Sequence, residues 1–252
     1  IRGGIQVQSY LGSRSTFPTG NFGGLAGSNL RNGDFLPIIS HSDMIQLKWP
    51  ADLVPEMTSE WTILALSGPH GAPDHFDPDD IRNIWSNQFT VNYNSNRLGI
   101  RLSSIKNKWA KMDGGDAGLH PSNVHDYAYG IGSVNMSGNT PVILCPDGPS
   151  LGGFVCPITI IKSEMWKVGQ LKPGDRIRFE ECDYAYALEA NARQERILRT
   201  GRFETEVERK KVDPLSISPI FARLDSHSRT HARINFRTTG DSYVLIELEM
   251  EK

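Results

Sequence analysis

Short apolar or alternating runs recur along the whole chain, and glycine, proline, asparagine or aspartate bounds most of them. This pattern is typical of β-strands that pack one or both faces against a core. The predicted strands are MIQLKW (44–49), WTILAL (61–66), FTVNY (89–93), LGIRL (98–102), PVILC (141–145), FVCPITII (154–161), DRIRF (175–179), ARINF (232–236) and SYVLIEL (242–248). Many short strands and few helices favour a closed barrel or a sandwich over a sheet flanked by helices.

Helical patterns are few. In FDPDDIRNIWSNQ (76–88), Asp77 is a suitable N-cap and Pro78 suits the first helical position. A second helix is predicted in SEMWKVGQ (163–170), with Ser163 as its cap. The clearest helix is YALEANARQERILR (186–199), and the charged segment GRFETEVERKKVDP (201–214) after it is predicted to be an exposed linker.

Two segments of the chain have similar turn chemistry. LRNGDFL (30–36) and LKPGDRI (171–177) each place a Gly-Asp turn before a predicted strand, and a glycine pair precedes each, at 23–24 and 152–153. Such a turn is common, so the similarity is either incidental or a repeat. If it is a repeat, the chain holds the end of one β-barrel and the whole of a second, related one.

Composition excludes several classes of partner. The chain has 252 residues, with 27 basic and 29 acidic residues and a formal net charge of −2. This balance gives no basic surface for nucleic acid or for an anionic membrane. Three cysteines, Cys145, Cys156 and Cys182, lack metal-type spacing. We interpret them as reduced thiols of a cytoplasmic protein, and small buried hydrophobic side chains are their structural role.

The stretch GLHPSNVHDYAYGIGSVNMSG (118–138) contains unusually many hydrogen-bonding side chains among glycines. It is followed by NTPVILCPDGPSLGGFVCP (139–157). We predict two glycine-rich polar loops, 112–139 and 146–153, on either side of one strand. They would meet at one end of a barrel, where ligand sites are common.

Two kinds of chemistry are excluded for this stretch. Pro121 separates His120 from His125, so the two histidines do not share a helix face, and we predict no metal. Gly148, Ser150 and Gly152 fit the G-x-S-x-G pattern of a hydrolase nucleophile, but a strand is predicted after them where that motif requires a helix. The segment 146–153 is either an anion cradle of backbone N–H groups or a tight turn.

The residues GGDAGLHPSNVHDYAYGIGSVNMSGNTPVILCPDGPSLGGFVCP (114–157) resemble the carboxyltransferase domain of urea carboxylase, the biotin-dependent part of urea amidolyase. The resemblance extends to YLGSRSTFPTGNFGGLAGSNLRNGD (10–34), SGPHGAPDHFDPDDI (67–81), YNSNRLGIRL (93–102) and MWKVGQLKPGDRIRF (165–179). It implies cyclophilin-like β-barrels. Residues 1–40 would end a first barrel, 41–182 would form a complete barrel that carries the site, and 183–252 would form a helix, a charged linker and the first strands of the next subdomain.

This resemblance implies transfer of a carboxyl group from carboxybiotin to a urea nitrogen, which gives allophanate. Biotin would be attached to a carrier domain, and ATP would be used by a biotin carboxylase domain, both elsewhere in one long chain. We expect the isolated chain to be inactive, because the family's domain continues past both ends. Three alternatives stay open: a guanidine carboxylase, a non-catalytic subunit of the kinase-inhibitor or 5-oxoprolinase type, and a barrel that has lost its activity. Proteins of the kinase-inhibitor or 5-oxoprolinase type have a DRQTTGGY-like loop where this chain has DGPSLGGF (147–154). This difference favours the carboxylase.

The resemblance also implies roles for individual residues. Relatives carry Asn or Asp at the position of Asn135, and an asparagine amide can both donate to and accept from urea. Asn135 is therefore predicted to select urea, with His120 and Asp126 as further catalytic residues. The remaining predicted contacts are Asn123, His125 and Tyr127 for urea and Arg97, Ser150, Gly152 and Gly153 for carboxybiotin. The structural alternatives are turn capping by Ser122, Asn123 and Asp126, core packing by Tyr127 and Tyr129, and a surface position for Arg97; His70 and His75 are predicted to be structural.

Overall fold

A computed structural model of the chain describes residues 4–39, 49–111, 114–115, 118–225 and 232–250. The chain forms two compact units, residues 1–49 and residues 50–252. Of the predicted strand at 44–49, only Trp49 lies within the described residues. In the part of the chain that the structure describes, no helix is long and apolar enough to cross a membrane.

The first unit contains a small antiparallel pair of strands, β1 (Thr16–Phe17) and β2 (Phe22–Gly23). The rings of Phe17 and Tyr10 pack against Phe22 with centroid distances of 5.3 and 4.9 Å. Ile5 forms an isolated antiparallel bridge with Ile38. Local aromatic packing therefore contributes to the order of this unit.

The second unit is built on a seven-stranded sheet. Its strands are β3 (Glu60–Ser67), β4 (Phe89–Thr90), β5 (Gly99–Arg101), β7 (Ser133–Ser137), β8 (Thr140–Leu144), β10 (Ile158–Ile160) and β11 (Arg176–Glu181). Their order across the sheet is β4-β11-β3-β10-β7-β8-β5, and only the pair formed by β3 and β11 is parallel.

The two edges of this sheet are joined to each other. Val91, directly after β4, forms an antiparallel bridge with Leu102, directly after β5. The Asn92 N–H donates to Arg101 O at 2.8 Å, and the Ser103 N–H donates to Thr90 O at 2.8 Å. These bonds close the sheet into a barrel, which leaves neither edge unpaired at this point. The mostly β fold predicted from the strand pattern is confirmed.

Large apolar side chains fill the barrel and the space under its first helix. Phe89, Met136, Ile143, Ile158 and Phe179 are among the residues of one buried cluster. The helix α1 (Pro78–Ser86) adds Ile81 and Ile84 to the same cluster. Asp77 caps this helix by accepting the Asp79 N–H, as predicted.

Further elements surround the barrel. The strands β6 (Asn123–Ala128) and β9 (Leu151–Phe154) form an antiparallel ribbon. A short helix, α2 (Met165–Val168), precedes β11, and the long helix α3 (Tyr184–Thr200) follows it. After α3, residues 201–213 have no regular structure. The strands β12 (Ile220–Leu224), β13 (Ala232–Thr239) and β14 (Tyr243–Met250) then form a three-stranded antiparallel sheet.

Four local predictions were wrong. The predicted loop at 112–139 contains strands β6 and β7, and the predicted loop at 146–153 contains the first three residues of β9, because the polar side chains of β7 are buried by neighbouring elements and Gly152 of β9 pairs with Tyr127 of β6. The predicted strand at 154–161 is two strands, since Pro157 has no N–H for the ladder and its carbonyl accepts from Gly68. Ser163 does not cap α2; it lies inside a short 3-10 helix, Lys162–Glu164.

The two Gly-Asp turns that suggested a repeat have the same hydrogen bonds. The Asp34 N–H donates to Arg31 O at 3.1 Å, and the Asp34 carboxylate accepts the Arg31 N–H at 2.6 Å. Asp175 and Lys172 make the equivalent bonds at 3.0 and 3.2 Å. The preceding glycine pairs differ, because Gly23 and Gly24 have φ of +75° and +54° whereas residues 152–153 lie in β9 without positive φ. The similarity between the two segments is therefore confined to the turns themselves.

Candidate active site

Polar side chains on the outer surface of the barrel define the candidate site. Along β7, Val134 and Met136 point into the core, so Ser133 and Asn135 point away from it. Thr159 on β10 pairs with Ser133 and lies beside it. These outward side chains are nevertheless buried, with exposures of 1% for Ser133, 6% for Asn135 and 1% for Thr159.

The ends of the third sheet, which is formed by β12, β13 and β14, cover this polar surface. A Cβ atom placed on Gly130 would lie 2.8 Å from Thr239 Cγ2 and 3.6 Å from Ser133 Oγ. A Cβ atom placed on Gly240 would lie 2.7 Å from Thr159 Cγ2. Glycine at these two positions therefore lets the end of β13 approach β7 and β10 closely.

Several polar atoms of the covered surface have no hydrogen-bond partner among the described residues. They are Asn135 Oδ1, Ser133 Oγ, Thr159 Oγ1 and Thr239 Oγ1. A buried polar atom without a partner costs about 1–3 kcal/mol, so several of them together need an explanation. A small polar ligand with both donors and acceptors would satisfy them.

Two tyrosines of the ribbon stand next to this surface. The Tyr127 hydroxyl donates to Phe154 O at 3.0 Å, and the Tyr129 hydroxyl accepts the Phe154 N–H at 2.8 Å. Their ring centroids are 4.9 Å apart. Burial raises the pKa of Tyr129 to about 12, although the hydrogen bond from the Phe154 N–H opposes the shift. Burial also raises the pKa of Tyr127, so both hydroxyls are neutral at pH 7.

Two histidines extend the site beyond Tyr127. His70 Nδ1 accepts the Cys156 N–H at 3.1 Å, which places its proton on Nε2 when the ring is neutral. The His70 ring meets the rings of Tyr127 and His75 edge to face, with centroids 4.8 Å apart in both pairs. Burial lowers the pKa of His70 well below its ordinary value, and burial together with Lys111 and Arg237 lowers the pKa of His75 to about 4. Both rings are therefore neutral at pH 7.

Arg237 on β13 anchors the loop that carries the histidines. Its guanidinium donates to Pro69 O at 3.1 Å, pairs with Glu247 at 3.0 Å and lies 3.7 Å from Asp74. The residue is 5% exposed. Two carboxylates around one guanidinium hold this cation in place, so the third sheet is part of the candidate site.

Of the residues predicted to contact urea or act in catalysis, Asn135 and Tyr127 belong to this cluster. His120 lies elsewhere: its Nδ1 is 2.9 Å from Ser122 Oγ, and its ring meets that of Trp109 at 5.4 Å. Asn123 pairs with Phe154 at the end of the ribbon. The other two residues, His125 and Asp126, are exposed residues of β6. Their catalytic and binding roles stay predictions.

The predicted carboxybiotin contacts lie in two places. A Cβ atom on Gly152 would lie 2.7 Å from the Tyr129 ring and hydroxyl, and one on Gly153 would lie 2.7 Å from Asp126 Oδ1. Both glycines are therefore covered by side chains of the ribbon. Ser150 is exposed and its carbonyl accepts the Tyr129 N–H at 2.9 Å.

Arg97 is the predicted carboxybiotin contact that lies apart from the ribbon. It pairs with Asp147 at 2.6 Å. Both residues line a cavity of about 560 Å³ whose other walls are largely apolar: Ile100, Cys145, Pro146, Met165, Val168, Leu171 and Pro173. The cavity combines an apolar wall with a cation at its rim.

His70 and His75, predicted to be structural, pack against each other in this cluster, and His70 also packs against Tyr127, whereas Arg237 was not singled out from the sequence. The two histidines stand in SGPHGAPDHF (67–76), directly after a strand, and this concentration of histidine and aspartate in a turn was the available signal. Arg237 gave no such signal, because it is one of many arginines and lies far along the chain.

The histidine pKa shifts predict a pH-dependent stability. The folded chain keeps His75 neutral down to about pH 4, whereas in the unfolded chain this histidine binds a proton near pH 6.5. Unfolding therefore takes up protons, and the Tm should fall as the pH falls from 7 to 5. His75→Gln should flatten this dependence, and the exposed His125→Gln should retain it. An identical slope in wild type and His75→Gln would contradict the assignment.

The second unit is thus a closed β-barrel that carries a buried and partly unpartnered polar surface. Residues 1–181 match the family described as carboxyltransferase domain, subdomain A and B. The chain belongs to this family.

Known relatives extend the match beyond residue 181. The chain is 43% identical to urea amidolyase of Lachancea kluyveri and 42% identical to that of Saccharomyces cerevisiae, over 98% of this chain and 14% of each relative. It is similar to the crystal structure of the Kluyveromyces lactis urea carboxylase, with 40% identity, a TM-score of 0.87, and coverage of 100% of this chain and 23% of that one. The chain thus spans less than a quarter of these relatives.

Proposed function

We propose that this region transfers a carboxyl group from carboxybiotin to a nitrogen of urea. The observation that carries the proposal is the buried, unpartnered Asn135 Oδ1, which shares the outward face of β7 with another buried neutral side chain, Ser133. Membership of the carboxyltransferase family supports the reaction class. The names of the relatives support urea as the substrate.

The chemistry of urea suits the groups on this surface. Urea is small and neutral, with N–H donors and one carbonyl acceptor, so it has to be held by matched hydrogen bonds. Asn135 Oδ1 would accept a urea N–H, and the hydroxyls of Ser133 and Thr159 would donate to the urea oxygen. The nearby His70 and Tyr127 side chains are neutral at pH 7, so neither places a charge beside the hydrogen bonds to urea. A site of this kind orients its substrate without a strong protein base.

Carboxybiotin supplies the activated carboxyl group when it is bound. The cavity beside Arg97 fits this group, because a bicyclic ring suits its apolar wall and the carboxylate suits the guanidinium. Arg97 would hold the carboxylate in exchange for Asp147. Side chains of the ribbon cover Gly152 and Gly153. The predicted binding roles of Ser150, Gly152 and Gly153 would therefore require the ribbon to open locally.

The finer assignments belong to the same proposal. The product would be allophanate, biotin would arrive on a carrier domain, and ATP would be used at a biotin carboxylase domain. Both domains would be other parts of the longer polypeptide that contains this region. The relatives, of which this chain spans 14 to 23%, support such an arrangement.

The test uses the full-length protein that contains this region. ADP release is followed with ATP and bicarbonate present and with urea, guanidinium or no substrate added. We expect release to depend on urea and to be weaker with guanidinium, which has no acceptor and carries a charge that the surface around Asn135 does not pair. A preference for guanidinium would identify a guanidine carboxylase, and no response to either would favour the binding-subunit alternative.

A further inference from the structure

The turn between β13 and β14 lies over the polar surface of β7 and β10. Residues 239–243 form this turn, the roof of the surface, and Thr239 pairs with Tyr243 across it. Gly130 leaves room for both side chains, since a Cβ atom there would lie 2.8 Å from Thr239 Cγ2 and 3.1 Å from Tyr243 Cδ2. Below the roof, Ser133 is only 1% exposed. The roof therefore keeps solvent away from this part of the surface.

Thr239 brings an unpartnered hydroxyl group to the covered surface. The residue is buried, and its Oγ1 has no hydrogen-bond partner among the described residues. Successive residues of a strand point to opposite faces, so Thr238 presents its side chain on the other face of β13. Thr239 thus adds a third hydroxyl, besides those of Ser133 and Thr159, to the buried polar atoms that need a partner.

Asp241 anchors the roof to the barrel. Its Oδ2 accepts the Lys162 N–H at 2.9 Å and the NH₂ group of Asn191 at 2.7 Å. Lys162 lies two residues after β10, the strand that carries Thr159. Gly240, with a φ of +70°, brings the backbone of the roof into contact with the Thr159 side chain. The roof is therefore fixed directly beside a strand that it covers.

Asn191 connects this anchor to the long helix α3. Its Oδ1 accepts the Ser163 N–H at 2.8 Å, and the Gln194 side chain of the same helix donates to Ser163 O at 2.9 Å. Because Oδ1 is engaged in this way, the NH₂ group of Asn191 is held toward Asp241. Both groups that donate to Asp241 are uncharged, so the anchor needs an acceptor oxygen and not a negative charge.

We propose that Thr239 is a further substrate-binding residue and that Asp241 is the positioning residue that holds it in place. The Thr239 hydroxyl accepts an N–H group of urea from the roof, while Asn135 accepts one from the barrel. Asp241 does not touch the substrate and acts through the position of the roof. The inference rests on the proposed function, because it takes the polar surface around Asn135 to be the urea site.

Two substitutions of Asp241 in the full-length protein test the anchor. Asp241→Ala removes the acceptor and should raise the KM for urea about tenfold, with kcat changed by less than about threefold, because the roof no longer holds its hydroxyl over the substrate. Asp241→Asn should stay within about twofold of the wild-type KM, since an amide oxygen can accept the same two N–H groups. A loss in Asp241→Asn as large as that in Asp241→Ala would contradict this role.

A matched pair of threonine variants tests the substrate contact and does not depend on how Asp241→Ala folds. Thr239→Val keeps the shape of the side chain and should raise the KM for urea about fivefold or more. Thr238→Val makes the same change on the opposite face of β13 and should leave the KM within about twofold of wild type. With urea-dependent turnover present in wild type, an unchanged KM in Thr239→Val, or equal effects of the two variants, would overturn the inference alone. Wild-type protein without urea-dependent turnover would overturn the proposed function, and the inference with it.

Discussion

Asn135→Asp should lower kcat/KM for urea by about a hundredfold or more and shift the preference of the enzyme toward guanidinium. The substitution keeps the size of the side chain but replaces a buried amide, 6% exposed, with a carboxylate. A carboxylate could still accept a urea N–H, but urea is neutral, so the new negative charge would be buried without a cation. Guanidinium is itself a cation with N–H donors on every side, so it would pair with the carboxylate. The measurement is the ratio of kcat/KM for urea and guanidinium in both proteins.

Asn139→Asp is the matched control for this substitution. Asn139 lies two residues beyond β7 in the turn before β8 and is exposed, so the same chemical change should leave both substrates within about twofold of wild type. Retained urea activity in Asn135→Asp, or an equal loss in Asn139→Asp, would contradict the role given to Asn135.

Arg237→Met should lower the free energy of unfolding by about 2–3 kcal/mol and reduce urea-dependent turnover at the same time. Removing the guanidinium leaves Pro69 O without its donor and releases the loop that carries His70 and His75. Loss of one partner from a buried ion pair costs about 3–5 kcal/mol, and the partial exposure of Glu247 and Asp74 reduces that cost here. The Tm should fall by roughly 5–10 °C. Heat is the suitable denaturant, because urea and guanidinium are candidate ligands.

Arg233 on the same strand provides the control. Its side chain is 36% exposed, and its ion pairs with Asp225 and Glu249 measure 3.5 and 3.7 Å. Arg233→Met should therefore cost less than about 1 kcal/mol and leave turnover intact. If Arg237→Met and Arg233→Met lowered the Tm equally, the anchoring role of Arg237 would be wrong.

The sequence predicted the strand-rich fold but not the closure of the barrel. Runs such as WTILAL (61–66) alternate or cluster apolar residues, and this periodicity is a local property of the chain. The bridge between Val91 and Leu102 and the parallel pairing of β3 with β11 join segments that no local pattern relates. Turn chemistry was also local, which is why Asp34 and Asp175 make equivalent bonds as their sequences suggested.

The candidate site was predicted in part. Polar residues at 118–138 indicated a ligand, and Asn135 lies in the buried cluster as a result of its place on β7. Their polarity indicates loops, although Ser133, Val134, Asn135 and Met136 alternate polar and apolar side chains as a strand does. The sequence could not show that the third sheet covers these side chains, so Arg237 and the ends of β13 and β14 were missed. Such contacts depend on tertiary packing across the chain.

The most direct test of carboxyl transfer to urea is a single-turnover chase with the full-length protein. Its biotin is first loaded with labelled bicarbonate and ATP, both are removed, and urea is added. We expect label to leave the carrier and to appear in carboxylated urea, and Asn135→Ala to slow this step without affecting the loading. Label that stays on the carrier, or that is lost as carbon dioxide with no urea product, would contradict carboxyl transfer to urea.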